Sequence, residues 1–78
     1  MFKLIVTLKN GGHQIWRMSR EMVAHVISLF QKMKKEIIFI DQKVYSIEMS
    51  EKKTLVLNNC ARLKFIDERS GVEFLTVE

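Results

Sequence analysis

The chain has 78 residues, 47% of them hydrophobic and 28% charged, with a net charge of +4, one cysteine and no proline. A chain of that length supports one domain with one small core, because it buries only about 60% of the surface it exposes when unfolded. The composition excludes a disulfide framework and a disordered or repetitive chain, and no apolar run approaches the ~20 residues of a membrane-spanning helix.

The charge is unevenly placed. Residues 1–35 carry seven Lys and Arg against one acid, and residues 36–78 carry six against eight. A basic front half steers anionic partners, or lets two copies attract one another. The amino terminus, MFKLIVTLKNGG, is too short and too alternating for a signal peptide. With a single cysteine, a reducing cytoplasm is the expected location.

Residues 2–9 alternate in the two-residue period of a strand, and Asn10-Gly11-Gly12 turns the chain into a second strand at residues 13–18. A three-residue loop with Gly12 in the left-handed conformation puts Phe2, Leu4, Val6 and Leu8 on one face with Trp16 and Met18. Lys3, Ile5, Thr7, Lys9, His13, Ile15 and Arg17 then share the other. A two-residue loop sets Arg17 beside Val6, a worse partition.

Residues 19–36 read as the single helix. Met22, Val23, Val26, Ile27, Phe30 and Met33 recur at three- and four-residue spacing and line one face. Ser19 caps the first amides and Glu21 lies in the first turn. Lys32, Lys34 and Lys35 sit at the carboxyl end, where the helix dipole favours cations.

The run Ile37-Ile38-Phe39-Ile40-Asp41 has the near-continuous apolarity of a strand covered on both sides. Residues 44–49 alternate again, so that Ile38, Ile40, Tyr45, Ile47 and Met49 share a core face. A polar connection at residues 50–53 leads to a strand at 54–58, and Asn58-Asn59 marks a break. Residues 62–67 and 72–77 form the last hairpin. The architecture is α+β, ββαββββ: an amino-terminal hairpin, a central amphipathic helix and four antiparallel strands. Pattern leaves open whether the later strands form an open sheet or a small barrel. The helix is expected to cover Leu4, Val6, Trp16, Ile38, Ile40 and Ile47.

Catalysis needs converging polar groups, and His13, His25 and Cys60 have no spacing that suggests a nucleophile and base. One cysteine and two separated histidines lack the ligand pairing of a zinc site, and Asp41, Asp67 and Glu68 are turn acids rather than a calcium loop. Gly11-Gly12 lacks the spacing and the Lys-Ser/Thr ending of a phosphate loop. No enzyme activity, metal or cofactor is expected.

Two kinds of partner surface remain, with a small-ligand site at the helix–sheet junction near Trp16 and Tyr45 as a third reading. One helix does not cover both faces of the sheet, so Ile5, Ile15, Phe39, Val44, Val56, Ile66 and Phe74 are candidates for protein contact, with a second copy as the simplest partner. The alternative is a nucleic-acid-binding module. It uses Lys3, Lys9, His13 and Arg17 on the first hairpin and Lys32, Lys34 and Lys35 at the helix end for phosphate contacts. The same lysines also read as a solvated, aggregation-resistant surface.

The stretches LKNGGHQIW and IIFIDQKVYSIEM, with the helix between them, carry a resemblance to short uncharacterised proteins of Gram-positive phages and prophages. That resemblance spans most of residues 1–49. It implies a small cytoplasmic accessory protein that binds or inhibits a host or defence factor. The basic charge argues against a DNA mimic, which would be acidic.

Overall fold

The computed structural model describes residues 1–39, 42–50 and 52–78. The elements run β1 (Phe2–Leu8), β2 (His13–Met18), α1 (Arg20–Glu36), β3 (Ser46–Ser50), β4 (Lys53–Val56), a 3-10 turn (Leu57–Asn59), β5 (Cys60–Asp67) and β6 (Val72–Val77). The order ββαββββ and the α+β class are those expected from the sequence. The strands divide into an open four-stranded sheet, in the order β2-β1-β5-β6, and a two-stranded sheet of β3 and β4. Among the described residues all pairings are antiparallel, and no barrel closes.

The first hairpin has the expected three-residue loop, one position earlier than the sequence suggested. Leu8 N–H donates to Gly12 O at 2.8 Å, which leaves Lys9, Asn10 and Gly11 as the loop. The left-handed residue is Gly11, at φ 92°, and not Gly12. A turn followed by a left-handed glycine matches the twist of the strands it joins. The correction moves the register by two residues, so each side chain keeps its face. Leu4 lies opposite Trp16 and Phe2 opposite Met18.

The helix begins where its cap dictates, with Ser19 Oγ accepting from Met22 N–H at 3.3 Å. Val23, Val26, Phe30 and Met33 are buried along one stripe, and Met22, Ile27 and Leu29 pack at its margins. The stripe meets Leu4, Val6, Met18, Leu63 and Phe65 of the large sheet. Tyr45, Ile47, Leu55 and Leu57 extend the same core through the small sheet.

Residues 37–39 overturn the expectation of a covered strand. The backbone continues from the helix into a turn, with Ile37 N–H donating to Met33 O and Phe39 N–H to Glu36 O, each at 2.8 Å. Ile38 is 77% exposed and Phe39 85%. Ile40 and Asp41 lie outside the described residues. The physical reason is occupancy. The interior positions of the large sheet are held by β1 and β5, so residues 37–39 have no covered place in the ladder despite their strand propensity. Of the five strand-like stretches after the helix, four are strands.

Two bulges refine which side chains face the helix. On β5 the pairing skips Ala61, leaving Cys60 opposite Leu8 and buried. On β6 the pairing skips Phe74, and the extra residue bends the strand. The ring of Phe74 thereby comes within 5.5 Å of Phe2 and 6.3 Å of Phe65, centroid to centroid.

Candidate functional site

The seven residues proposed for protein contact do not form one patch. Ile5, Ile15 and Ile66 share the large sheet's outer face, away from the core. Ile5 lies opposite Ile15 and Lys64, and Ile66 opposite Lys3. Val56 is half-buried on β4, and Phe39 and Val44 are exposed in the connection after the helix. Phe74 was expected on the outer face, and the β6 bulge places it on the helix side instead. Together with Phe2, Val23, Ile27 and Val72 it lines an apolar groove of about 620 Å³ between α1 and β6. Arg20 and Asp67 also border this groove.

β6 forms the outer side of that groove. Among the described residues it pairs with β5 alone, so its other edge presents unpaired backbone groups. Val72 is 57% exposed and Phe74 47%. The charges around the edge are already matched. Lys64 Nζ lies 3.8 Å from Glu73, and Arg62 donates to Glu78 at 2.6 Å. The edge is therefore apolar beside neutralised neighbours.

The basic residues proposed for nucleic acid are divided between layers. Lys3, His13 and Arg17 share the outer sheet face, joined by Arg62 and Lys64, which sequence reasoning missed. Lys32, Lys34 and Lys35 belong to α1, on the opposite side of the sheet. Most of the cations on the outer face are engaged. Arg17 holds Glu68 in a two-pronged pair, with its Nε donating to Glu68 Oε1 at 2.9 Å. The hydrogen bond to Glu68 and its charge raise the Arg17 pKa further, and the hydrogen bond from Arg17 depresses that of Glu68. At the helix end, Lys32 and Lys43 both approach Glu36, at 3.8 and 3.4 Å, and Lys34 rests over the Phe30 ring.

Lys9 occupies a different place. It lies in the hairpin loop and borders a cleft between β2 and β4. One part of the cleft is lined by Leu8, Lys9, Asn10, Asn59 and Val56. The other is lined by Ile15, Trp16, Lys52 and Lys53, and Gln14 and Thr54 belong to both. Lys9 and Lys53 are 44 positions apart in sequence, which is why Lys52 and Lys53 read only as a polar connection.

No known family model, curated protein or solved structure matches the chain. Its chemistry is therefore read from its own residues.

The thiol of Cys60 is buried and donates weakly to Val56 O at 3.4 Å. Burial pushes its pKa up, with Lys9 a smaller opposing influence, so the nucleophilic thiolate is disfavoured. Both histidines are exposed, His13 on the sheet's outer face and His25 on the helix. Among the described residues no three His, Cys, Asp or Glu side chains gather as metal ligands, and no helix is long and apolar enough to cross a membrane.

Trp16 and Tyr45, named together for a small-ligand site, do not share a pocket. Trp16 is half-buried on the cleft and Tyr45 is buried in the core. Tyr45 Oη has no hydrogen-bond partner among the described residues. The Tyr45 backbone is held instead by Asn58, whose Oδ1 accepts from Tyr45 N–H at 2.7 Å while its Nδ2 donates to Lys43 O at 2.8 Å.

Proposed function

We propose that this is a non-enzymatic protein-interaction domain whose contact surface is the free edge of β6 and the groove beside it, and that its first partner is a second copy. The observation that carries this reading is the pair Val72 and Phe74, exposed on an unpaired edge next to an apolar groove. An open, apolar strand edge is a template for further pairing, and β6 has neither proline nor lysine to block it. Two copies meeting edge to edge about a twofold axis present the same surface to each other. The pairs Lys64–Glu73 and Arg62–Glu78 lower the electrostatic cost of that approach despite the net positive charge.

The buried, pKa-raised Cys60 and the separated histidines support the non-enzymatic part of the reading. A cytoplasmic setting fits a single reduced cysteine. In a phage or prophage, the same edge suits a role in binding or inhibiting a host or defence factor by strand addition.

Sedimentation velocity over a range of concentrations tests the proposal. The expected result is a reversible dimer that Phe74→Lys converts to monomer while the helical circular dichroism is retained. A wild-type chain that stays monomeric at the highest concentration overturns it, and so does a dimer that survives the substitution.

A further inference from the structure

The cleft between β2 and β4 has a chemistry that the β6 edge lacks. Lys9, Lys52 and Lys53 line it, and none of them is ion-paired among the described residues. No acidic side chain among those residues lines it either. Arg17, Arg62 and Lys64 on the outer sheet face, by contrast, each hold a glutamate. Among the described residues, then, the cleft's lysines have no carboxylate partner, whereas most cations of the sheet face do.

Trp16, the only tryptophan of the chain, stands on the cleft wall. Its indole N–H donates to Gln14 Oε1 at 3.2 Å, and the half-buried side chain packs against the core, which restrains the ring. Asn10, Asn59, Gln14 and Thr54 add short polar groups along the walls. The two parts, about 270 and 480 Å³, adjoin at Gln14 and Thr54, which line both. Cations beside a restrained aromatic face, with amides between them, are what a single nucleic-acid strand requires. Its phosphates need charge, its unstacked bases need a ring, and their edges need donors and acceptors.

We infer that the β2–β4 cleft binds a short stretch of single-stranded nucleic acid, with a base stacked on Trp16 and the backbone following Lys9, Lys52 and Lys53. A duplex does not fit this chemistry, because its bases are stacked inside and do not reach a ring recessed in a cleft. An acidic peptide satisfies the lysines but gains nothing from the indole face. The inference is independent of the β6 edge, which lies at the opposite edge of the large sheet from β2.

Trp16 supplies its own reporter. Titration with a twelve-nucleotide oligo(dT) at low salt is expected to quench the tryptophan fluorescence. Affinity is expected to fall with salt at a log–log slope of about −2, for three phosphate contacts on a single strand. The exposed pair Lys9→Glu and Lys53→Glu is expected to weaken binding at least about tenfold. Arg17→Glu, on the sheet face, is expected to leave it within about twofold. Four results overturn the inference: no quenching at low salt, equal binding of a duplex, equal binding of oligo-glutamate, or a loss on Arg17→Glu as large as that of the cleft pair. Because the lysines are exposed, unchanged circular dichroism separates lost binding from lost folding.

Discussion

Arg17 and Glu68 lie 51 residues apart in sequence and meet because β2 and the turn after β5 flank the same end of β1. The guanidinium grips both carboxylate oxygens, and Lys3 and the amino terminus add positive charge nearby. In the folded chain Glu68 therefore stays ionised to lower pH than it does unfolded. The unfolded chain then binds more protons in acid. The stabilisation is complete above the ordinary carboxylate pKa and is lost as pH falls through the depressed folded value. Carboxyl-carbon NMR titration is expected to show Glu68 below the ordinary range in the wild type and back within it in Arg17→Ala. An unshifted wild-type Glu68 would show that the pair does not persist in solution. Sequence reasoning placed Arg17 on the correct face yet treated it as a free cation, because a partner so distant in the chain leaves no local signal.

At the scale of elements, helix and strands follow different rules. The helix was legible residue by residue, since its cap, its first-turn acid, its buried stripe and its terminal lysines are all encoded within 18 positions. Ser19→Ala removes the oxygen that accepts from Met22 N–H. It is expected to cost about 1 kcal/mol, read as a lower melting temperature by about 4–8 °C for a chain of this size. A change below a degree would mean that water replaces the cap without loss. The strands show the limit of pattern. A period of two fixes faces only while pairing is regular, and the bulges at Ala61 and Phe74 break it. Phe74 was assigned outward by alternation and instead packs beside Phe2 and Phe65, because an extra residue in one strand switches the face. Gly11 and Gly12 were both visible as a turn, but which of them takes the positive φ depended on where the ladder stopped.

For the molecule as a whole, the decisive event is the closing of β5 against β1. It places β5 and β6 beyond β1 and displaces β3 and β4 into a separate sheet. Residues 37–39 are thereby left outside the ladder, in a turn after the helix. This accounts for the exposure of Ile38 and Phe39, and it yields a prediction that separates the two readings of that run. Ile38→Lys is expected to change stability by no more than about 0.5 kcal/mol, measured by urea unfolding. A covered strand residue would instead cost several times that. A loss of about 2 kcal/mol or more would show that the run is buried in solution.

The same closure creates both candidate surfaces. It leaves β6 as a free apolar edge on one side, and on the other it brings β4 opposite β2 across the lysine-lined cleft. The sequence by itself determined the α+β class, the element order, the helix and its buried stripe, and the faces of the first hairpin. Each of these rests on short-range periodicity and on capping. Only the tertiary structure decided which strands became neighbours, which cations were neutralised, and where Trp16 met Lys52 and Lys53. Those outcomes depend on competition between distant segments for a limited number of strand edges, and a local pattern holds no record of that competition.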